Sequence, residues 1–224
     1  MNEERGIVAG LGEVGHALLH VLEEFHVVEG HDPSKGVFAN GGTVHILHVC
    51  FPYSDTFIDD VKRYQELFMP MYTVIHSTVP IGISRTLNAV HSPIRGQHPN
   101  LEGGIMAFVK FLGGEHAGSV ANYFRRAGIK VLICDKQETT EAMKLFDTEY
   151  YRACIEFTQR VKKYCDFHNL NFHEVYTLAN QTYNEGYEAL GFSEYVRPVL
   201  QPILGQIGGH CVGPNKEFIA KSEK

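Results

Sequence analysis

The chain has 224 residues, 44% of them hydrophobic and 21% charged, with a formal net charge of -6. This is ordinary for a globular protein of one large or two small domains, and it argues against a general nucleic-acid binder, which needs basic patches to neutralise phosphates. No apolar run approaches the roughly 20 residues that span a bilayer, and the acidic opening Met1-Asn-Glu-Glu-Arg5 is not a signal peptide. The expectation is a cytoplasmic protein whose partners include neither membrane nor nucleic acid. Cys50, Cys134, Cys154, Cys165 and Cys211 lie at irregular spacing with no C-x-x-C, so neither a disulfide framework nor a zinc ribbon is suggested. The thirteen histidines form no H-E-x-x-H. Most are expected at the surface or at a cofactor's edge, and no metal site is expected.

In chain order, Ile7-Val8-Ala9 reads as a strand, Gly10-Leu-Gly-Glu-Val-Gly15 as a glycine turn, and His16 to Leu22 as a helix. In a nucleotide-binding βαβ unit the first glycine permits the turn, the second lets the backbone approach a pyrophosphate, and the third lets helix pack on strand. Gly10, Gly12, Glu13, Val14 and Gly15 are therefore candidate cofactor-binding residues. The next apolar stretch ends at His31-Asp32, about twenty residues beyond the glycines, where an acid accepts ribose hydroxyls and favours NAD over NADP. The competing reading is a glycine turn with no ligand beside a surface aspartate.

Pro33 to Gly42 reads as a loop, Thr43 to Phe51 as a buried parallel strand stopped by Pro52, and Phe57 to Phe68 as a helix that Ser54-Asp55-Thr56 can cap. Tyr72 to His76 is a further strand, running into Ser77-Thr78-Val79-Pro80-Ile81-Gly82. Its carboxyl end is where ligands sit in an open α/β sheet, so Pro52, Ser77 and Thr78 join the cofactor candidates. Val90 to His98 is rich in turn residues; Ala107 to Leu112 reads as a strand, Glu115 to Arg126 as a helix, and Lys130 to Cys134 as a strand.

The alternation describes an α/β, doubly wound parallel sheet of Rossmann type over residues 1–136. From Thr139 the pattern becomes helical, with one helix of about 28 residues ending near Asn169 and a second from Phe172 to Leu190 stopped by Gly191. Residues 137–224 are thus expected to form a smaller helical domain. A long helix that is apolar over more than half its circumference calls for partner surface, and a homodimer is expected across it.

Lys144 lies near the start of that helix, where the macrodipole opposes a cation. Facing a ligand crevice, it would bind a substrate oxygen or exchange its proton; the alternative is a solvated lysine. Cys211, in Ile207-Gly-Gly-His-Cys-Val-Gly-Pro214, has glycines on both sides that let backbone approach a ligand, and an adjacent imidazole that can favour its thiolate. The alternative there is filler in a tight turn.

Taken together, these motifs resemble the UDP-glucose/GDP-mannose dehydrogenase family. The resemblance rests on Gly10 to Gly15, His31-Asp32, His76-Ser-Thr-Val-Pro-Ile-Gly82, His91-Ser-Pro93, Thr140-Glu-Ala-Met-Lys-Leu145 and Gly208-Gly-His-Cys211, in matching order. It implies NAD as cofactor, a nucleotide sugar as the small-molecule substrate, Glu141 near the nicotinamide, Thr78 positioning a catalytic water, Lys144 holding the alcohol oxygen and Cys211 as nucleophile. The implied route runs from alcohol to aldehyde, thiohemiacetal, thioester and acid. Three positions depart from the pattern: Ile94 stands for a family acid, Thr148 for an asparagine and Asn215 for an aspartate. The sequence given stops at Lys224, where family members continue into a further α/β domain. Two other readings stay open, a non-catalytic nucleotide-binding protein and a single-oxidation hydroxy-acid dehydrogenase working through Lys144 alone.

Overall fold

The computed structural model describes residues 4–96, 99–203, 215, 218 and 219. They fall into two compact units, the first running to Leu145 and the second starting at Phe146.

The first unit is built on a seven-stranded sheet. In chain order it has β1 (Gly6–Ala9), α1 (Glu13–Glu23), β2 (Val28–His31), β3 (Ile46–Val49), α2 (Phe57–Phe68), β4 (Tyr72–Ile75), α3 (Ile83–Thr86) and β5 (Val90–His91). It continues with α4 (Leu101–Ala107), β6 (Lys110–Gly113), α5 (Ala117–Arg126) and β7 (Val131–Cys134). The spatial order is β2-β1-β3-β4-β5-β6-β7. The chain leaves β1 toward one side for β2 and returns to the other for β3, so the direction of winding reverses between β1 and β3. Loops part there, which opens a crevice at the carboxyl ends of the strands.

Alternation along the strands divides the core between the two faces of the sheet. Val8, Ile46 and Val74 point to the face covered by Leu18 and Leu22 of α1 and Phe124 of α5. Ile7, Leu47 and Ile75 point to the other, where Phe57, Val61 and Phe68 of α2 pack. Helices on both faces give the Rossmann-like layering that the alternation of elements predicts.

Several expectations need correction. Strands β1 to β5 are parallel, but β5 meets β6 antiparallel through His91 and Gly113, so the sheet is mixed. The turn-rich stretch after Ala89 contains β5, a central strand of two residues. Ala107 ends α4, and the following strand starts at Lys110. Thr56 precedes α2 without a side-chain cap; its hydroxyl donates to Asp60 instead, at 2.8 Å.

The long helix α6 spans Gln137–Phe167, 31 residues. In the second unit a π-helical stretch, His173–Leu178, leads into α7 (Ala179–Ala189). Gly191 ends that run with a φ of 79°, a conformation that glycine adopts without strain. The π-stretch presents the buried Tyr176, whose hydroxyl lies 2.9 Å from Thr158 Oγ1 on α6.

Candidate functional site

A cleft of about 400 Å³ opens at the β1/β3 reversal, with Gly10 and Gly12 on one side, Asp32 and Lys35 beyond β2, and Pro52 after β3. Its shape follows from glycine. Gly10 has a φ of 89°, and a Cβ there would lie 2.8 Å from the Phe51 nitrogen, so the first turn accepts no side chain. A Cβ on Gly15 would stand 1.8 Å from the Gly10 carbonyl oxygen, which is how closely α1 packs on the turn. A Cβ on Gly12 meets nothing within 4 Å and would project into open space. That space, at the amino end of the 11-residue α1, suits a pyrophosphate facing the first-turn N–H groups. Glu13 is exposed beside it and Val14 half-buried.

Asp32 is held in place from several directions. Its Oδ2 accepts from the Leu11 N–H at 2.8 Å, and its Oδ1 from the Ser34 hydroxyl at 2.6 Å and the Ser34 N–H at 3.1 Å. Burial pushes the carboxyl pKa up, but the bonds from Ser34 and Leu11, with the Lys35 ammonium, outweigh it and hold the pKa below the ordinary value. The carboxylate is therefore ionised at neutral pH. Lys35 donates to the Leu11 carbonyl at 2.6 Å, so both backbone groups of Leu11 are fixed by the loop after β2. On α2, Arg63 pairs with Asp60 at 2.9 Å and lies over the Tyr64 ring, and all three line the cleft. Lys35, Arg63 and Tyr64 were not singled out from the sequence. Lys35, three residues past the acid, carried a legible signal; the helix pair carried none.

A second group of side chains gathers at the carboxyl ends of β4 and β5. The Ser77 hydroxyl donates to the Phe51 carbonyl at 2.5 Å, joining the loop after β4 to the loop after β3, and Thr78 follows half-buried. The first turns of α6 enter here. Glu141 is wholly buried, and its carboxylate accepts from the Gly82 N–H at 2.6 Å and the Ser84 N–H at 2.9 Å, closing the start of α3. Burial raises its pKa, and those backbone bonds oppose the rise. Lys144 donates to the Ile94 carbonyl at 3.0 Å. Cys211 and the glycines around it lie outside the described residues. Asn215, four positions later, is buried and donates to Thr148 Oγ1 at 2.8 Å, so two of the three residues that depart from the resembled pattern bond to each other.

Four of the thirteen histidines are exceptions to the expectation that most lie at the surface or at a cofactor's edge. His31, His48, His76 and His91 are buried. His48 Nδ1 lies 3.1 Å from His76 Nε2, and His76 Nδ1 lies 2.8 Å from the Ser92 carbonyl oxygen. Beside them the buried Lys110 reaches His76 Nδ1 at 3.3 Å and lies over the Phe124 ring. Burial brings Lys110 down to about 7, and burial with the lysine charge brings His48 down to about 3. His48 and Lys110 stand on β3 and β6, and His76 directly follows β4.

No protein-family model matches the chain, and no curated protein matches it in sequence. Solved structures do. The UDP-D-ManNAc dehydrogenase of Pyrococcus horikoshii superposes with a TM-score of 0.79 at 16% identity, over 98% of this chain and 65% of that one. A UDP-glucose dehydrogenase of Pyrobaculum islandicum gives 0.73 at 16% identity, over 99% and 64%. The fold is that of the UDP-sugar dehydrogenases. The chain spans about 65% of the Pyrococcus protein's length. The 3-hydroxyisobutyrate dehydrogenase of Mycobacterium tuberculosis also matches, with a TM-score of 0.64 at 13% identity over 99% of this chain and 87% of that one. UDP-sugar and hydroxy-acid dehydrogenases thus share the architecture that carries both groups of side chains described above.

Proposed function

We propose that the chain is an NAD-dependent oxidoreductase that oxidises an alcohol by hydride transfer, with a nucleotide sugar as substrate. The observation that carries this reading is Asp32, an ionised carboxylate lining the same cleft as Gly10 and Gly12 and already oriented by Leu11. That arrangement suits a dinucleotide whose ribose hydroxyls reach the acid and whose pyrophosphate meets Gly12, Glu13, Val14 and Gly15. The carboxylate repels a 2′-phosphate, which favours NAD over NADP. NAD, when bound, supplies the hydride acceptor. Pro52, Ser77 and Thr78 border its path along the carboxyl ends of the strands, and Glu141 holds the wall behind it through Gly82 and Ser84.

In this reading Lys144 holds the substrate's alcohol oxygen and takes part in moving its proton. Cys211 would then add its thiolate to the aldehyde to give a thiohemiacetal, which would lose a hydride to a second equivalent of NAD and a proton to leave a thioester, and water oriented by Thr78 would release the acid and return the thiol. The exposed aromatics Phe146, Tyr150, Phe157 and Tyr164 on α6 support a homodimer across that helix. Sedimentation velocity checks it, and a single species of monomer mass at micromolar concentration would exclude it. A cytoplasmic setting, where NAD is at hand, belongs to the same reading. No described helix is long and apolar enough to cross a membrane.

A second reading is a single oxidation of a small hydroxy acid through Lys144, supported by the fold shared with the hydroxyisobutyrate enzyme. One experiment separates the two. NADH formation at 340 nm is followed for the wild type and for Cys211→Ser against UDP-sugars, GDP-sugars and small hydroxy acids, with NAD binding measured by calorimetry. Two NADH per nucleotide sugar, lost in the variant, supports the first reading. One NADH per hydroxy acid, retained in the variant, supports the second. Tight NAD binding with no turnover of any substrate would leave a nucleotide-binding protein without catalysis.

A further inference from the structure

The backbone ladder between β4 and β5 is short, pairing Val74 with Val90 and Ile75 with His91. One further bond, from the Ser92 N–H to the Ile75 carbonyl at 2.8 Å, extends it. Beyond that point imidazoles make the connections. His91, wholly buried, places Nε2 3.2 Å from the Ser77 carbonyl oxygen and Nδ1 2.9 Å from Thr140 Oγ1. Ser77 opens the loop that carries Thr78, and Thr140 stands one helical turn before Lys144 on α6. A single ring therefore bonds to both segments on which the proposed chemistry depends.

The hydrogens on this ring follow from its neighbours. A carbonyl only accepts, so the proton belongs on Nε2, facing Ser77. In the neutral ring Nδ1 is then an acceptor without a proton of its own, and the Thr140 hydroxyl, which also lies 2.9 Å from the Gln137 carbonyl oxygen and 3.3 Å from the His91 carbonyl oxygen, turns its single proton to Nδ1. The opposite neutral tautomer would set the Nε2 lone pair against the Ser77 oxygen. Burial, with the charges of Lys110 and Lys144 nearby, brings the ring down to about 3 against the Ser77 bond, so it is neutral at physiological pH.

We propose that His91 is a positioning residue of this site: a neutral imidazole that joins the Ser77–Thr78 loop to the first turn of α6 and so sets where Lys144 stands. The proposal rests on the dehydrogenase reading for its consequence in catalysis, but the tie itself is testable without turnover. Glu141 and Lys144 attach the same helix start to Gly82, Ser84 and Ile94. Among these bonds, the His91 ring links the Thr78 segment to α6 directly. Displacing a catalytic group by about 1 Å can lower turnover about 100-fold.

The test uses the full chain with 13C-labelled lysine and 15N-labelled histidine, the Lys144 signal being assigned by Lys144→Arg. Thr140→Val removes the hydroxyl at nearly constant volume. His91→Gln keeps a donor near the Nε2 position, His91→Asn keeps an acceptor near Nδ1, and His91→Leu removes both. The expected result is an Nε2-protonated neutral ring in the wild type and a Lys144 side-chain signal that moves in Thr140→Val and His91→Leu. The Gln and Asn variants should show smaller displacements. With any substrate the wild type oxidises, kcat falls about 10- to 100-fold in Thr140→Val while the KM for NAD stays within about twofold. A Lys144 signal unchanged in Thr140→Val and in both amide variants overturns the proposal, even if His91→Leu fails to fold. Absence of turnover in the wild type would instead count against the dehydrogenase reading, with the Lys144 signal still deciding the role of His91.

Discussion

At the scale of single residues, Asp32 and Lys110 show opposite uses of charge. Asp32 is ionised because three hydrogen bonds and a lysine hold it so. Under the proposed function, replacing it with Asn should raise the Kd for NAD about 10- to 100-fold by calorimetry, the cost of weakening charge-assisted bonds of about 1.5–3 kcal/mol. Lys110 is buried beside His76 and Ser92, and burial brings it from 10.5 to about 7. The folded state therefore binds fewer protons than the unfolded chain between those values. The penalty is full below pH 7 and fades as pH rises toward 10.5. Lys110→Met should accordingly stabilise the protein by about 1–3 kcal/mol at pH 7 and by much less at pH 10, read from urea midpoints at the two pH values. The glycine turn and Asp32 were legible because a fixed backbone shape needs particular residues at fixed spacing. His91 and Lys110 were not, because nothing in a polar side chain's identity says that a strand will carry it inside.

At the scale of elements, periodicity served well wherever an element was long enough to repeat. The limits of α2 agree with the pattern, and α6 runs only a little beyond it. The two-residue β5 and the four-residue α3 have no room for a period, and the reversal at β6 leaves no mark in composition. Alternation tells which face a residue takes, not which way its strand runs. The π-stretch was likewise unreadable, since it continues the helix before α7 and differs only in the turn it inserts. Its Tyr176 hydroxyl lies 2.9 Å from Thr158 Oγ1 and 3.3 Å from both the Pro198 carbonyl and the Leu200 N–H. Tyr176→Phe removes these bonds from a buried position. A loss of about 1–2 kcal/mol is expected, seen in thermal melts as a fall in Tm of about 2–8 °C.

At the scale of the whole molecule, the first unit buries several imidazoles. His48 and His91 are brought from 6.5 to about 3, chiefly by burial, and His76 falls well below its ordinary value for the same reason. Below pH 6.5 the unfolded chain takes up protons that the folded one refuses, so stability must fall as the solution is acidified. The slope approaches about 1.4 kcal/mol per pH unit for each imidazole. Urea midpoints at pH 7 and pH 5 should differ accordingly, and substituting Leu for His48 should flatten the difference; equal midpoints would contradict it. The carboxyl edge of the same sheet has a different consequence. Its loops are bonded to one another before any ligand arrives, Ser77 to Phe51, His91 to Ser77, Glu141 to Gly82 and Lys144 to Ile94. Little conformational entropy is then left to lose on association. A dinucleotide should bind in one kinetic phase, its rate set by encounter and without the lag of a loop that must first find its shape.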